Sequence, residues 1–193
     1  FWLQKMEKHA LSLYWLIIAS LFFYGWWNIN YLPLILTSLT FNFLCGSFLI
    51  KQNRIHMLKR KLLLATGITF NIALIGYFKY ADFLIENFNL VAQTQFNLLR
   101  VILPLGISFY TFEQIAYLVD CYKGKASLYS SPKYTVFVVF FPQLIAGPIV
   151  HHHEMVPQFE SVKNRFLNFR NINKGLLLFS IGLFKKVVIA DSF

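Results

Sequence analysis

Charge is what this sequence lacks most. Only 13% of its 193 residues are Asp, Glu, Lys or Arg, against about 25% in an average soluble domain. Acids are the scarcer sign, with 8 Asp and Glu facing 18 Lys and Arg, for a net charge of +10. Cysteine is nearly absent. Cys45 and Cys121 have neither a metal-binding nor a redox spacing, which leaves them as small polarizable filler at apolar positions. Neither GxGxxG nor a Walker pattern occurs, which removes the common phosphate loops. No Ser or Cys nucleophile is accompanied by a nearby His and carboxylate.

Apolar residues fill the space. They make up 57% of the chain, and aromatics 19%, including 22 Phe, 10 Tyr and 4 Trp. They come in blocks, and a bilayer crossing needs about 20 such residues, with a range of about 17 to 25. The blocks run over 10–27, 31–50, 62–78, 101–119, 134–150 and 175–190. Tyr24, Trp26 and Trp27 close the first as an interfacial anchor, and Pro33 sits near the start of the second, where its missing N–H costs little. The segment 79–100, with Asp82, Glu86 and several amides, reads as a mixed connector. The fold class expected is an all-α, polytopic membrane bundle in one domain.

Lys51, Arg54, Lys59, Arg60 and Lys61 form a loop without acids, which the positive-inside rule places in the cytoplasm. Lys123, Lys125 and Lys133 return there after two more crossings. The cations thus belong to membrane topology, and nucleic acid is not an expected partner. A plain span at 134–150 would then export Lys163, Arg165, Arg170 and Lys174, against the rule. That block carries Pro142 and the pair Gly147-Pro148, which interrupt a helix. Irregular backbone survives at membrane depth only against protein or a wet cavity. The block is therefore read as broken or re-entrant, with 151–174 on the cytoplasmic face.

In the fourth block Tyr110, Glu113, Tyr117 and Asp120 fall at i, i+3, i+7 and i+10, one face of a helix. Phe109, Phe112, Ala116 and Val119 make an apolar face. An ionisable group at membrane depth costs about 2.5–3.5 kcal/mol on insertion scales, so the polar stripe should face the protein interior. It serves either as the lining of a substrate tunnel or as a polar contact between helices. His151, His152 and His153 do not predict a metal site. Consecutive helical residues point about 100° apart and cannot converge on one ion, and only His151 and His153 would share a side of an extended segment. His9 and His56 read as solvated.

Two stretches are distinctive as wording. One runs Leu103-Pro104-Leu105-Gly106-Ile107-Ser108-Phe109-Tyr110-Thr111-Phe112 and on through Asp120 to Gly124. The other runs from Phe140-Phe141-Pro142-Gln143-Leu144-Ile145-Ala146-Gly147-Pro148 to Phe159. Both resemble the signature of membrane-bound O-acyltransferases, nearest the alginate O-acetyltransferase branch. The segments 19–27, Phe78-Lys79-Tyr80 and 185–191 add to the resemblance. Its motif positions here are Pro104, Gly106, Phe141, Pro142, Gln143, Gly147 and Pro148.

The resemblance implies an N-terminal to middle piece of a multi-pass inner-membrane enzyme, lacking one helix upstream. It implies a catalytic histidine beyond Phe193, so no catalytic residue is assigned within the chain, which is expected to be inactive alone. It also implies transfer of an acyl group, usually acetyl, from a cytoplasmic donor such as acetyl-CoA across the membrane, with no bound cofactor. Periplasmic polysaccharide acetyltransferases would be partners beside donor and lipid. D-alanyl transfer to teichoic acid is the alternative within the family, and a proton-coupled secondary transporter the alternative outside it. The basic 51–61 loop would draw in an anionic donor by electrostatic steering.

The orientation is testable in the full-length protein. A cysteine replacing Asn164 should react with a membrane-impermeant thiol reagent only from the cytoplasmic side; labelling from the periplasm alone would exclude a re-entrant 134–150.

Overall fold

The computed structural model describes residues 9–51, 57–145, 147–148, 150–161 and 167–192, with residue 9 by its backbone alone. Arg54, His56, Lys163, Asn164 and Arg165 lie outside the described residues, as do positions 1–8, 146, 149 and 193. The fold is all-α, and no β-strand occurs among the described residues. The helices are α1 (His9–Trp27), α2 (Leu32–Lys51), α3 (Met57–Ile75), α4 (Ala81–Ala92), α5 (Ile107–Tyr122), α6 (Ser131–Val139), α7 (Phe141–Leu144), α8 (His152–Glu160) and α9 (Phe169–Phe184). Among the described residues, three stretches are long and apolar enough to cross a membrane: Ala10–Trp27, Ile29–Lys51 and Met57–Ala92.

The first two crossings join through a tight turn. Asn28 caps it by accepting from the Asn30 amide at 3.0 Å, and a single 3₁₀ turn, Ile29–Tyr31, leads into α2. The third differs from its expected extent. Helix begins at Met57, inside the stretch read as a loop, and α3 continues through the wide π-helical turn Gly76–Tyr80 into α4. These 36 residues span about 54 Å at 1.5 Å per residue, more than the ~30 Å hydrocarbon core. The segment read as a mixed connector is thus largely helix, continuous with the third crossing. Its acid Asp82 accepts from the amides of Leu99 at 2.7 Å and Arg100 at 3.0 Å, folding the following strip back along the helix.

Helix α5 is the centre of the packing, lying against α2 and α3 and also touching α6. It starts later than the apolar block that contains it, because Pro104 and Gly106 hold an irregular entry. Gly106 has φ +64°, and a Cβ there would lie 2.9 Å from the Leu144 carbonyl oxygen. Close approach on the other side depends on two more glycines. A Cβ on Gly46 would sit 2.5 Å from the Tyr117 ring, and one on Gly67 2.6 Å from Leu118.

Amides lock the three helices together. Asn42 on α2 and Asn71 on α3 exchange hydrogen bonds of 3.3 and 2.6 Å, and Asn42 also donates to the Gln114 carbonyl oxygen on α5. Ser38 donates to that same oxygen at 2.9 Å. All four residues are fully buried.

Beyond α5, Tyr129 and its neighbours lead into α6, which stops at Phe140. The described residues of 134–150 form a broken helix: α6, the single turn α7, then non-helical backbone at 145, 147–148 and 150. Helix α9 continues through a wide turn at Lys185–Ala190, and every described residue from 167 to 192 is exposed.

The glycine contact gives a sharp test. Gly46→Ala should destabilise the full-length protein by about 1–3 kcal/mol through overpacking against Tyr117, read as a lower thermal midpoint in detergent. Gly76→Ala, where nothing lies within 4 Å, should leave it within about 0.5 kcal/mol of the parent.

Candidate functional site

The polar stripe of α5 faces two small constructions, both made with the broken helix that follows it. Tyr110, Glu113 and Tyr117 are buried, and Asp120 is half-buried. The break explains the first construction. Pro142 sits in the first turn of α7, where it needs no N–H partner, and Gly147 follows the turn. A Cβ on Gly147 would meet Gln143 at 2.4 Å, so the chain can double back over the Gln143 side chain only with glycine there. The Gln143 amide nitrogen then donates to the Pro148 carbonyl at 3.0 Å and to Glu113 Oε1 at 3.3 Å. Phe141 fixes the turn against α1 by donating its N–H to Ser20 at 3.3 Å and packing its ring 5.6 Å from Phe23.

Beside this turn opens a cleft of about 690 Å³, lined among others by Phe140, Pro142, Gln143, Gly147, Pro148 and Met155. Its walls are mainly apolar, with Gln143 and Gln158 among the polar groups. Tyr110, Glu113, Tyr117 and Asp120 do not line it directly. Glu113 stands one hydrogen bond behind it, through Gln143. The motif positions Pro142, Gln143, Gly147 and Pro148 therefore build one feature, the cleft wall, while Pro104 and Gly106 shape the entry to α5 against Leu144.

The second construction surrounds His152, which sequence reasoning left among polar residues at a helix end. His152 is 2% exposed. Its Nε2 lies 3.1 Å from Asp120 Oδ2, and its Nδ1 lies 2.9 Å from the Tyr129 hydroxyl. A carboxylate only accepts, so with Asp120 ionised the ring carries its proton on Nε2, and Nδ1 accepts from Tyr129. Tyr117 stands edge-on to the imidazole at 5.5 Å between ring centres, and Phe137 at 6.3 Å. Burial pushes His152 below the usual histidine value, against the opposing pull of the Asp120 hydrogen bond. Burial also raises the Tyr129 phenol, which keeps it a donor. The arrangement is a buried neutral imidazole held at both nitrogens, able to pass a proton between a carboxylate and a phenol.

The signal for His152 was present in its register. Met155 and Val156 follow at i+3 and i+4 and are buried beside it, so the apolar face of α8 includes the histidine. Cys45 and Cys121 are buried free thiols. The basic cluster splits: Arg60 turns inward, donating to the Tyr122 carbonyl at 2.7 Å with its guanidinium 5.1 Å from the Tyr122 ring centre, while Lys59 and Lys61 are exposed.

Lowering of the His152 value fixes the sign of a pH effect. The unfolded chain takes up the proton first, so the stability due to the neutral ring is present above about 6.5 and is lost as pH falls below it. Full-length protein in detergent should lose thermal midpoint between about pH 7 and 5 more steeply than its His152→Gln variant. Equal slopes would show that the ring titrates as if exposed.

Comparison with known proteins places the chain. The model of the membrane-bound O-acyltransferase family matches residues 21–193. The chain is 47% identical to the peptidoglycan O-acetyltransferase of Helicobacter pylori, over 100% of this chain and 41% of that protein. It is 36% identical to the probable alginate O-acetylase AlgI of Pseudomonas putida, over 92% of this chain and 37% of that protein. The same identity and coverage of this chain hold for AlgI of Pseudomonas aeruginosa, across 34% of its length. The chain thus spans about two fifths or less of these curated relatives. No solved structure matches it. With its apolar crossings, its broken helix and its two signature stretches, the chain is a membrane protein and belongs to the membrane-bound O-acyltransferase family.

Proposed function

We propose that this chain is the N-terminal to middle part of an enzyme that carries an acetyl group across the inner membrane for O-acetylation of a polysaccharide. The donor is a cytoplasmic thioester such as acetyl-CoA. The histidine that activates the acceptor lies beyond residue 193, and periplasmic polysaccharide acetyltransferases complete the route. Both kinds of relative are named for O-acetylation, which supports acetyl over D-alanyl transfer. The higher identity to the peptidoglycan enzyme favours peptidoglycan over alginate as the acceptor.

The observation that carries this reading is the Glu113–Gln143 contact at the wall of the 690 Å³ cleft. An acyl path through a membrane protein needs irregular backbone, a cavity and a few polar groups to fix the moving ester. The broken helix supplies all three: non-helical backbone after α7, the cleft beside it, and Gln143 with Glu113 behind it. With Arg60 committed to Tyr122, attraction of an anionic donor falls to Lys59 and Lys61.

The test uses the full-length protein in a strain lacking its own copy, with expression matched. Gln143→Ala should lower ester-linked acetate on purified peptidoglycan by about 100-fold, the scale of a misplaced reactant. Acetate unchanged on both peptidoglycan and secreted polysaccharide would reject the cleft as the acyl path. Acetate lost from a secreted polysaccharide instead would correct the acceptor and keep the enzyme.

A further inference from the structure

We infer that Asp120, His151 and His153 form a binding site for a divalent transition metal ion, with zinc the best chemical match. One carboxylate oxygen and one nitrogen from each ring all lie within 4.8 Å of one another. The objection that neighbouring histidines cannot converge does not apply to this pair. His151 is in extended backbone, with φ −76° and ψ 146°, and helix begins only at His152. The change of conformation between them brings positions 151 and 153 to the same side, where their rings stack at 5.3 Å and 23°. His152 is turned the other way, into the core.

The donor set and its support both point to a metal. Two imidazole nitrogens and a carboxylate oxygen suit zinc and its neighbours and do not suit magnesium or calcium, which take oxygen ligands. Three protein donors leave a fourth position open. Both histidines are exposed, so small side-chain rotations can close the set from 4.8 Å to coordinating distance. Asp120 is held in place from behind, because its Oδ2 lies 3.1 Å from His152 Nε2 and His152 is in turn fixed by Tyr129. Metal-binding carboxylates are typically oriented by such an outer hydrogen bond. The buried His152 network would then serve as the outer support of the site.

An ion here would tie the end of α5 to the start of α8. Met155, Gln158 and Phe159 of α8 line the cleft, so the ion would fix one wall of it. The inference concerns binding and does not depend on which acyl group or acceptor the enzyme uses.

The experiment takes full-length protein in detergent, stripped with a chelator, and titrates it with Zn²⁺ and with Co²⁺ as a spectroscopic stand-in. Expected are one equivalent bound per chain and visible Co²⁺ bands of a four-coordinate site. The His151→Ala/His153→Ala double variant should lose both. His152→Ala, which frees Asp120, should weaken binding about 10–100-fold, and Glu86→Gln, at an exposed position on α4, should not change it. Misfolding is separated by the thermal midpoint: with chelator present, parent and double variant should coincide, and added Zn²⁺ should raise only the parent. Absence of stoichiometric binding to the parent, or binding that survives in the double variant, would overturn the site.

Discussion

Hydrocarbon offers no hydrogen bonds, so an amide carried to membrane depth must find its partner inside the protein. The side chains of Asn42, Asn71 and Ser38 and the carbonyl oxygen of Gln114 meet that demand with one another, across three helices and at zero exposure. Apolar side chains alone would not select a register here, because lipid tails satisfy them as well as neighbouring helices do. The amides do select one. Once Gln114 is seated between α2 and α3, the rotation of α5 is set, and Glu113, Tyr117 and Asp120 are carried to the interior with it. The cleft and the His152 network both follow from that rotation.

The broken helix is the complementary device. A continuous helix from 131 to 160 would satisfy its own backbone and leave no cavity. Phe140 ends α6, Pro142 opens a single turn, and Gly147 allows the chain to fold back over Gln143. The carbonyl of Pro148, released from any helix, is met by the Gln143 side chain. One residue thus repairs the backbone it interrupts and reaches Glu113 as well. This double duty accounts for the pairing of glutamine, glycine and proline in the signature stretch.

Much of this was legible from apolar block length and from the 3.6-residue period. The first two crossings, the broken character of 134–150 and the inward stripe of α5 are all readable in that way. The length of the third helix was not, because Lys79, Asp82 and Glu86 look like a loop when polarity is taken to mark the membrane edge. A helix that continues from a crossing carries polar residues without ending. Asn42 and Asn71 each stand alone in an apolar block, and no local pattern says that they meet. His152 was hidden by the polar company of its two neighbours, although its spacing to Met155 and Val156 follows the buried face of α8. Asp120 could be placed on a face from sequence, but its partners, 32 residues later in the chain, belong to tertiary packing.

The two glycine contacts have a mechanical meaning. The Tyr117 ring lies over Gly46 on one side of α5, and Leu118 lies over Gly67 on the other. Each side chain fills a notch about one residue wide, so α5 is bolted against sliding along either neighbour. Helices α2, α3 and α5 therefore move as one block. Freedom to shift relative to that block belongs to the elements after Phe140, where the described backbone leaves its helix.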